Sequence, residues 1–152
     1  MSLQERLFED MKKALKAREA GRKQLSVIRM ARAALKNHSI ALGRELTDDD
    51  VIEVLAKEVK QRREAIMEYT RVNRPDVVAE LEEEIAILEV YLPQQLSREE
   101  ITRLAREAIT ATGAREVRSL GRVMSVLMPK MKGRADGKVV QEIVRKLLSG
   151  ED

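Results

Sequence analysis

The side chains best placed to do chemistry lie close together near the C-terminus, in residues 127–140, which read LMPKMKGRADGKVV. A proline, two glycines and an Asp-Gly pair interrupt the helical pattern there. Five basic residues surround the interruption: Arg122, Lys130, Lys132, Arg134 and Lys138. Cations on a turn beside the N-terminus of a helix, whose free amides also attract anions, form a reasonable phosphate site. The alternative is a solvated basic connector, in which Gly133 and Gly137 provide unusual backbone angles and Asp136 caps the next helix.

The composition narrows the kind of nucleic acid that such a turn could bind. Stacking on single-stranded bases needs aromatic side chains, and the three in this chain lie in other segments: Phe8, Tyr69 and Tyr91. A nucleic acid bound at residues 127–140 is therefore expected to be folded RNA or a duplex, contacted through its backbone and shape.

Catalytic and metal-binding patterns are not found in the sequence. There is one histidine, His38, and no cysteine, and neither a GxGxxG nor a Walker A motif occurs. The carboxylate triplets at 48–50 and 82–84 fit helix capping and solvation better than acid–base catalysis. We therefore predict no catalytic residue, no metal site and no cofactor.

Helical periodicity runs through the whole chain and no segment shows a period of two, which predicts an all-α fold. Residues 1–93 are predicted to form an N-terminal helical hairpin or bundle domain. Its first helix should end near Arg18, its second at Gly43 and its fourth at Pro93. Thr47 and Asp50 form a capping-box pattern at the start of the third.

Residues 94–152 are predicted to form a small domain of three short helices, with N-caps at Ser97, Ser119 and Asp136. A core of this size is marginal alone and is expected to lean on the N-terminal domain or on a partner. The segment also holds three methionines: Met124, Met128 and Met131. They are read either as fillers of a small irregular core or as an adaptable surface for a partner helix.

The net charge of +3 is unevenly distributed. Residues 5–44 carry 11 basic and 4 acidic side chains (+7), residues 45–93 carry 6 and 14 (−8), and the remainder 12 and 8 (+4). Pairing between the first two zones is expected. The lack of cysteine is compatible with a reducing compartment, and no apolar run reaches the roughly 18 residues of a membrane span. The sequence predicts a cytoplasmic protein with no membrane contact.

Several motifs in order resemble the bacterial YqeY family of GatB/YqeY-domain proteins. They are LSVIRMARAALKN, LTDDDVIEVLAKEVKQRREAIMEY, EVYLPQQLSREEI and GRVMSVLMPKMKGRADGKVVQEIVRKLL. The resemblance implies an N-terminal helical domain followed by a three-helix domain. The C-terminal part is also similar to the tail of GatB, the tRNA-binding subunit of glutamine-dependent aminoacyl-tRNA amidotransferase. That likeness implies that the tail holds tRNA by its folded body.

Carried over by position, the likeness assigns phosphate contacts to Lys132, Arg134 and Lys138. It assigns the shaping of the turn to Gly121, Gly133, Asp136 and Gly137. The catalytic cradle of GatB has no counterpart in this sequence, so the family's label of carbon–nitrogen ligase with glutamine as amido-N-donor is inherited from the shared tail.

The sequence thus predicts a non-catalytic protein that binds tRNA or another folded RNA, or is associated with tRNA through a protein partner in aminoacyl-tRNA metabolism. The alternative is a helical protein–protein interaction module with no RNA ligand. In that case the partner would bind a groove around Met124, Val139 and Ile143.

Overall fold

The computed structural model describes residues 1–150, which form seven α-helices and no strand, so the all-α prediction is confirmed. The helices are α1 Leu3–Lys16, α2 Arg22–Leu42, α3 Asp48–Arg71, α4 Pro75–Glu89, α5 Arg98–Thr112, α6 Leu120–Leu127 and α7 Gly137–Ser149. Short 3-10 turns occupy Arg18–Gly21, Val117–Ser119 and Met128–Lys130. The chain divides into two compact units, Met1–Leu92 and Pro93–Asp152. None of the helices in residues 1–150 is long and apolar enough to cross a membrane.

The first unit contains α1 to α4, with α3 packed along α4 and α2 in contact with all three other helices. Its core is aliphatic apart from one tyrosine and consists of Leu7, Val27, Ile28, Ala31, Leu35, Val51, Leu55, Val59, Leu88 and Tyr91. These residues recur at helical spacing, so each helix buries one stripe and leaves its charged face in water.

Local signals set several helix ends in this unit. The capping box is confirmed, because the Asp50 amide donates to Thr47 Oγ1 at 3.2 Å and the Thr47 amide to Asp50 Oδ2 at 2.8 Å. Gly43 ends α2 in the left-handed conformation, as predicted. The fourth helix stops at Glu89, before the predicted end at Pro93, because its last residues tighten into i to i−3 bonds such as that from the Tyr91 amide to the Leu88 carbonyl.

Ion pairs join the basic and acidic zones of this unit. Arg44 Nη1 lies 2.6 Å from Asp50 Oδ2, and its hydrogen bond to Asp50 holds the pKa of that carboxyl well below its usual range. Lys23 Nζ lies 3.3 Å from Glu83 Oε2. These contacts confirm the expected pairing between the two zones.

One charged side chain in this unit is buried. Arg62 on α3 is only 7% exposed, and its Nε donates to Glu84 on α4 at 2.9 Å. Its Nη1 donates to the Glu58 carbonyl at 3.0 Å. The pairing satisfies a charge that would otherwise be costly to bury between the two helices.

The second unit packs α5, α6 and α7 against one another. Its core is made of Ile101, Ala105, Ala108, Ala114, Val123, Leu127, Met131, Val140, Ile143, Val144 and Leu148. Met131 is fully buried, and Met124 and Met128 pack against the core, which supports the interpretation of the methionines as fillers.

The groove expected around Met124, Val139 and Ile143 stays a prediction. Ile143 is 4% exposed and belongs to the core, and Met124 and Val139 are partly buried against it. Ser119 occupies the predicted N-cap position of α6 but makes no side-chain cap bond, since a 3-10 turn, Val117–Ser119, already leads into the helix.

Candidate nucleic-acid interface

The connection between α6 and α7, which we call the basic turn and define as residues 130–138, is folded tightly on itself. Met131 is fully buried and anchors it in the core of the second unit. The Arg134 amide donates to the Met131 carbonyl at 2.8 Å. Gly133 has a φ of 74°, a left-handed conformation that a residue with a Cβ adopts only at a cost. The predicted shaping of the turn by Gly133 therefore agrees with the structure.

The segment before α5 holds the basic turn from outside. The Leu96 amide donates to the Arg134 carbonyl at 2.9 Å, and Gln95 Nε2 donates to the Gly133 carbonyl at 2.7 Å. In return, Arg134 Nε donates to the Gln94 carbonyl at 3.1 Å. Because residues 94–96 hydrogen-bond to these two carbonyls and to the guanidinium, the backbone that carries the cations of the turn is held in place. Sequence reasoning did not identify Gln95.

The cations of the turn differ in how accessible they are. Lys130, Lys132 and Lys138 are exposed, and Arg134 is half-buried. Lys130 has no ion-pair partner among residues 1–150. Lys132 and Lys138 each already interact within the protein, and Arg134 commits one of its five donor hydrogens to Gln94.

Arg122 and Gly121 lie away from the basic turn. Arg122 Nη2 donates to the Thr112 carbonyl at 2.8 Å, so it closes the C-terminal end of α5. The rest of α6, about 7.5 Å of helix from Arg122 to Leu127 at 1.5 Å per residue, and then a 3-10 turn separate Arg122 from Lys130. Gly121 is the second residue of α6, so its prediction as part of the turn is wrong, because the helix has already begun at Leu120.

Asp136 occupies the N-terminus of α7. Its Oδ1 accepts the Lys138 amide at 2.9 Å, and Gly137 is the first helical residue, so the predicted cap is confirmed. The same carboxylate fills the place where an anion would meet the free amides and the positive end of the helix dipole. An anion at this turn would therefore be held by side chains rather than by the end of the helix.

One further cation could have been found from its spacing. Arg145 follows Lys138 by seven residues on α7, which places the two on the same face. Arg145 is exposed and has no ion-pair partner among the described residues. By contrast, Lys146 and Arg98 both pair with the Glu142 carboxylate, at 3.1 and 3.7 Å. Both cations lower the pKa of Glu142, Lys146 more than Arg98.

The histidine and the carboxylates considered for acid–base or metal chemistry lie in the first unit, and the structure shows partners for carboxylates that include Asp48 and Glu84. His38 is in α2, Asp48 accepts the Leu3 amide at 3.0 Å, and Glu84 pairs with Arg62. No group of three or more potential metal ligands occurs within residues 1–150. What the basic turn offers is positive charge and hydrogen-bond donors on a fixed backbone.

Comparison with known proteins gives a family and a set of relatives. The family model described as Yqey-like protein matches residues 4–148. Three fungal proteins, each named "Altered inheritance of mitochondria protein 41, mitochondrial", are similar to this chain. The Pyrenophora tritici-repentis protein is 27% identical over 146 residues, covering 91% of this chain and 79% of that protein.

The other two relatives match over a shorter range. The Lachancea thermotolerans protein is 36% identical over 89 residues, 58% of this chain and 46% of that protein. A Saccharomyces cerevisiae protein is 33% identical over 86 residues, 56% of this chain and 45% of that protein. The matched part therefore spans about half the length of these two relatives.

Proposed function

The chain belongs to the Yqey-like protein family, and from that membership we propose that it is a non-catalytic tRNA-binding protein whose basic turn contacts the phosphate backbone. The observation that carries the proposal is the way residues 94–96 fix the turn, because this holds Lys130, Lys132 and Lys138 on a rigid base. The likeness of the C-terminal part to the tail of GatB supports tRNA as the RNA.

The chemistry of the turn fits recognition of a folded backbone. Lysines bind phosphate as point charges, and the free part of the Arg134 guanidinium can donate to phosphate oxygens. The turn has no aromatic side chain on which a base could stack. Binding should therefore depend on the shape and charge of the RNA and only weakly on its sequence.

A charge-reversal pair tests the contact surface. We expect Lys130→Glu with Lys132→Glu to weaken binding of a labelled folded tRNA in a fluorescence anisotropy titration. The slope of log K against log salt should also become shallower by about 1.4–1.8, since each of the two phosphates that these lysines neutralise contributes roughly 0.7–0.9 to that slope. Arg134 is left unchanged because its bond to Gln94 supports the turn itself.

The control is Lys13→Glu with Lys57→Glu, which makes the same change in net charge at two exposed lysines of the first unit. Neither has an ion-pair partner among the described residues. Equal tRNA affinity and equal salt slope in the two double variants would refute the basic turn as the contact surface.

A protein partner in aminoacyl-tRNA metabolism and a cytoplasmic location are parts of the same proposal. Sequencing the RNA and identifying the proteins that copurify with the chain test the first. Imaging of a tagged chain in its own cells tests the second, and accumulation in a membrane-bound organelle, as the names of the fungal relatives state for those proteins, would contradict it.

A further inference from the structure

The second helix is unusual in its charge. Over 21 residues it carries no aspartate or glutamate. Its basic residues are Arg22, Lys23, Arg29, Arg32 and Lys36. Along the side where α2 borders α1 runs a groove of about 590 Å³. The residues that matter in its lining are Gln4, Leu7, Arg29, Arg32, Lys36 and Ile40. We call this the α2 groove.

The cations of the α2 groove are not neutralised by the part of the protein that the structure describes. Arg29 and Lys36 are exposed and have no ion-pair partner among residues 1–150, and no described carboxylate lines the groove. Arg32 is steadied by uncharged groups, since its Nη1 lies 3.1 Å from Met11 Sδ and its guanidinium 5.0 Å from the centre of the Phe8 ring. Contacts of this kind orient a guanidinium and leave its charge uncompensated.

The groove also offers apolar surface. Ile40 is 69% exposed and Ala33 is exposed, with Leu7 and Leu35 buried beneath them. A phosphate backbone could pair with the three cations, but it would leave the Ile40 side chain in water. A helix with carboxylates beside an apolar stripe would cover both kinds of surface.

We propose that the α2 groove is a docking site for an acidic amphipathic helix of a partner protein. From Arg29 to Ile40 the groove extends along α2 for about 16 Å at 1.5 Å per residue, which accommodates about three turns of a bound helix. Glutamates or aspartates of the partner pair with Arg29, Arg32 and Lys36, and its apolar residues cover Ile40. The groove is built from residues of the first unit and the basic turn from residues of the second, so the proposal does not depend on RNA binding at the turn.

The test uses three synthetic peptides and the full-length chain. The probe is a fluorescein-labelled peptide of about 18 residues, long enough for a short helix, with leucines at i, i+3 and i+4 spacing and glutamates elsewhere. A peptide of the same composition in scrambled order lacks the apolar face, and a third replaces each glutamate with lysine. Anisotropy gives the affinity, and backbone amide NMR shifts of Ala33, Lys36 and Ile40 report whether the peptide lies in the groove.

We expect saturable binding of the acidic amphipathic peptide alone, with shifts at those three amides. Arg29→Glu with Lys36→Glu should weaken binding by about tenfold or more, the effect of converting two attractive charge pairs into repulsive ones. The control, Arg18→Glu with Lys57→Glu, reverses one exposed arginine and one exposed lysine outside the groove and should bind as the unmodified chain does.

A second variant isolates the apolar contribution. Ile40→Gln keeps every charge, and Ile40 is so exposed that its replacement leaves the core intact. This variant should bind the acidic amphipathic peptide several-fold more weakly. Equal binding of the scrambled peptide would overturn the helix model in favour of charge alone.

Other occupants of the α2 groove give different results. No saturable binding of the acidic amphipathic peptide to the unmodified chain overturns the proposal. The proposal is also overturned if the Arg29→Glu, Lys36→Glu variant loses tRNA binding while the Lys130→Glu, Lys132→Glu variant retains tRNA binding. That result would assign the α2 groove to RNA. Self-association that the same two substitutions abolish, measured by sedimentation, would assign the groove to a second copy of the chain.

Discussion

Replacing Gln95 by alanine should loosen the basic turn without removing any charge from it. Gln95 Nε2 donates to the Gly133 carbonyl at 2.7 Å and to the Pro93 carbonyl at 3.1 Å. Two neutral hydrogen bonds contribute about 1–3 kcal/mol together, and because the site is only part-buried, water recovers some of this, leaving about 1–2 kcal/mol. We expect that loss to appear as easier local opening of residues 131–136.

Hydrogen exchange under native conditions measures this opening directly. The Arg134 and Leu96 amides donate within the turn and to it, so their exchange should be faster in Gln95→Ala by about 5- to 30-fold, at 1.4 kcal/mol per factor of ten. Affinity for tRNA should fall by a smaller factor, because binding must now order the turn. Amides in the first unit should not change.

Gln94→Ala is the matched control. Gln94 is the same residue type, one position earlier, and is exposed; only its backbone carbonyl takes part in holding Arg134. The reasoning is refuted if the two variants show the same exchange at Arg134, or if Gln95→Ala opens the turn and leaves tRNA affinity unchanged.

Three further outcomes are expected in the stability of the chain. Arg62→Ala should lower the free energy of unfolding by about 2–4 kcal/mol in urea titration, because it leaves the Glu84 carboxylate partly buried without its partner. Burial, together with the hydrogen bond to the Asp10 carboxylate, raises the pKa of Tyr91. The stability that Tyr91 contributes is therefore present below the ordinary tyrosine pKa of about 10 and is lost as the pH rises above it. Tyr91→Phe should make the fall in unfolding free energy at alkaline pH less steep. Gly121→Ala should stabilise the second unit by about 0.5–1 kcal/mol, because the added Cβ meets open space within a helix. Gly21→Ala should instead destabilise the first unit, because the added Cβ would lie 2.2 Å from the Ala14 carbonyl oxygen. Thermal melts of the two variants should therefore shift in opposite directions.

Features that depend on neighbouring residues could be predicted from the sequence. The Thr47 cap, the left-handed Gly43 and the Asp136 cap each involve side chains or backbone within a few positions, and all three are present. The all-α class follows from the same local periodicity. The early end of α4 at Glu89 was not predictable, because nothing in the sequence distinguishes a last α-helical turn from a 3-10 turn.

Features that depend on distant residues could not be predicted. Gln95 reaches Gly133 across 38 positions, and no periodicity marks such a pair. Sequence proximity groups Arg122 with the basic turn, but its guanidinium donates to the Thr112 carbonyl at the end of α5. The likeness to a family assigns Gly121 to the turn, and only the backbone shows that it lies inside α6.

The carboxylate of Asp136 gives the basic turn an internal competitor for its cations. A lone inorganic phosphate arriving there would face one negative charge already seated at the head of α7 and would gain little. A polymer whose charges are spread over Lys130, Lys138 and Arg145 could engage several cations at once and bypass that carboxylate. The turn should therefore bind long polyanions more tightly than small metabolite anions.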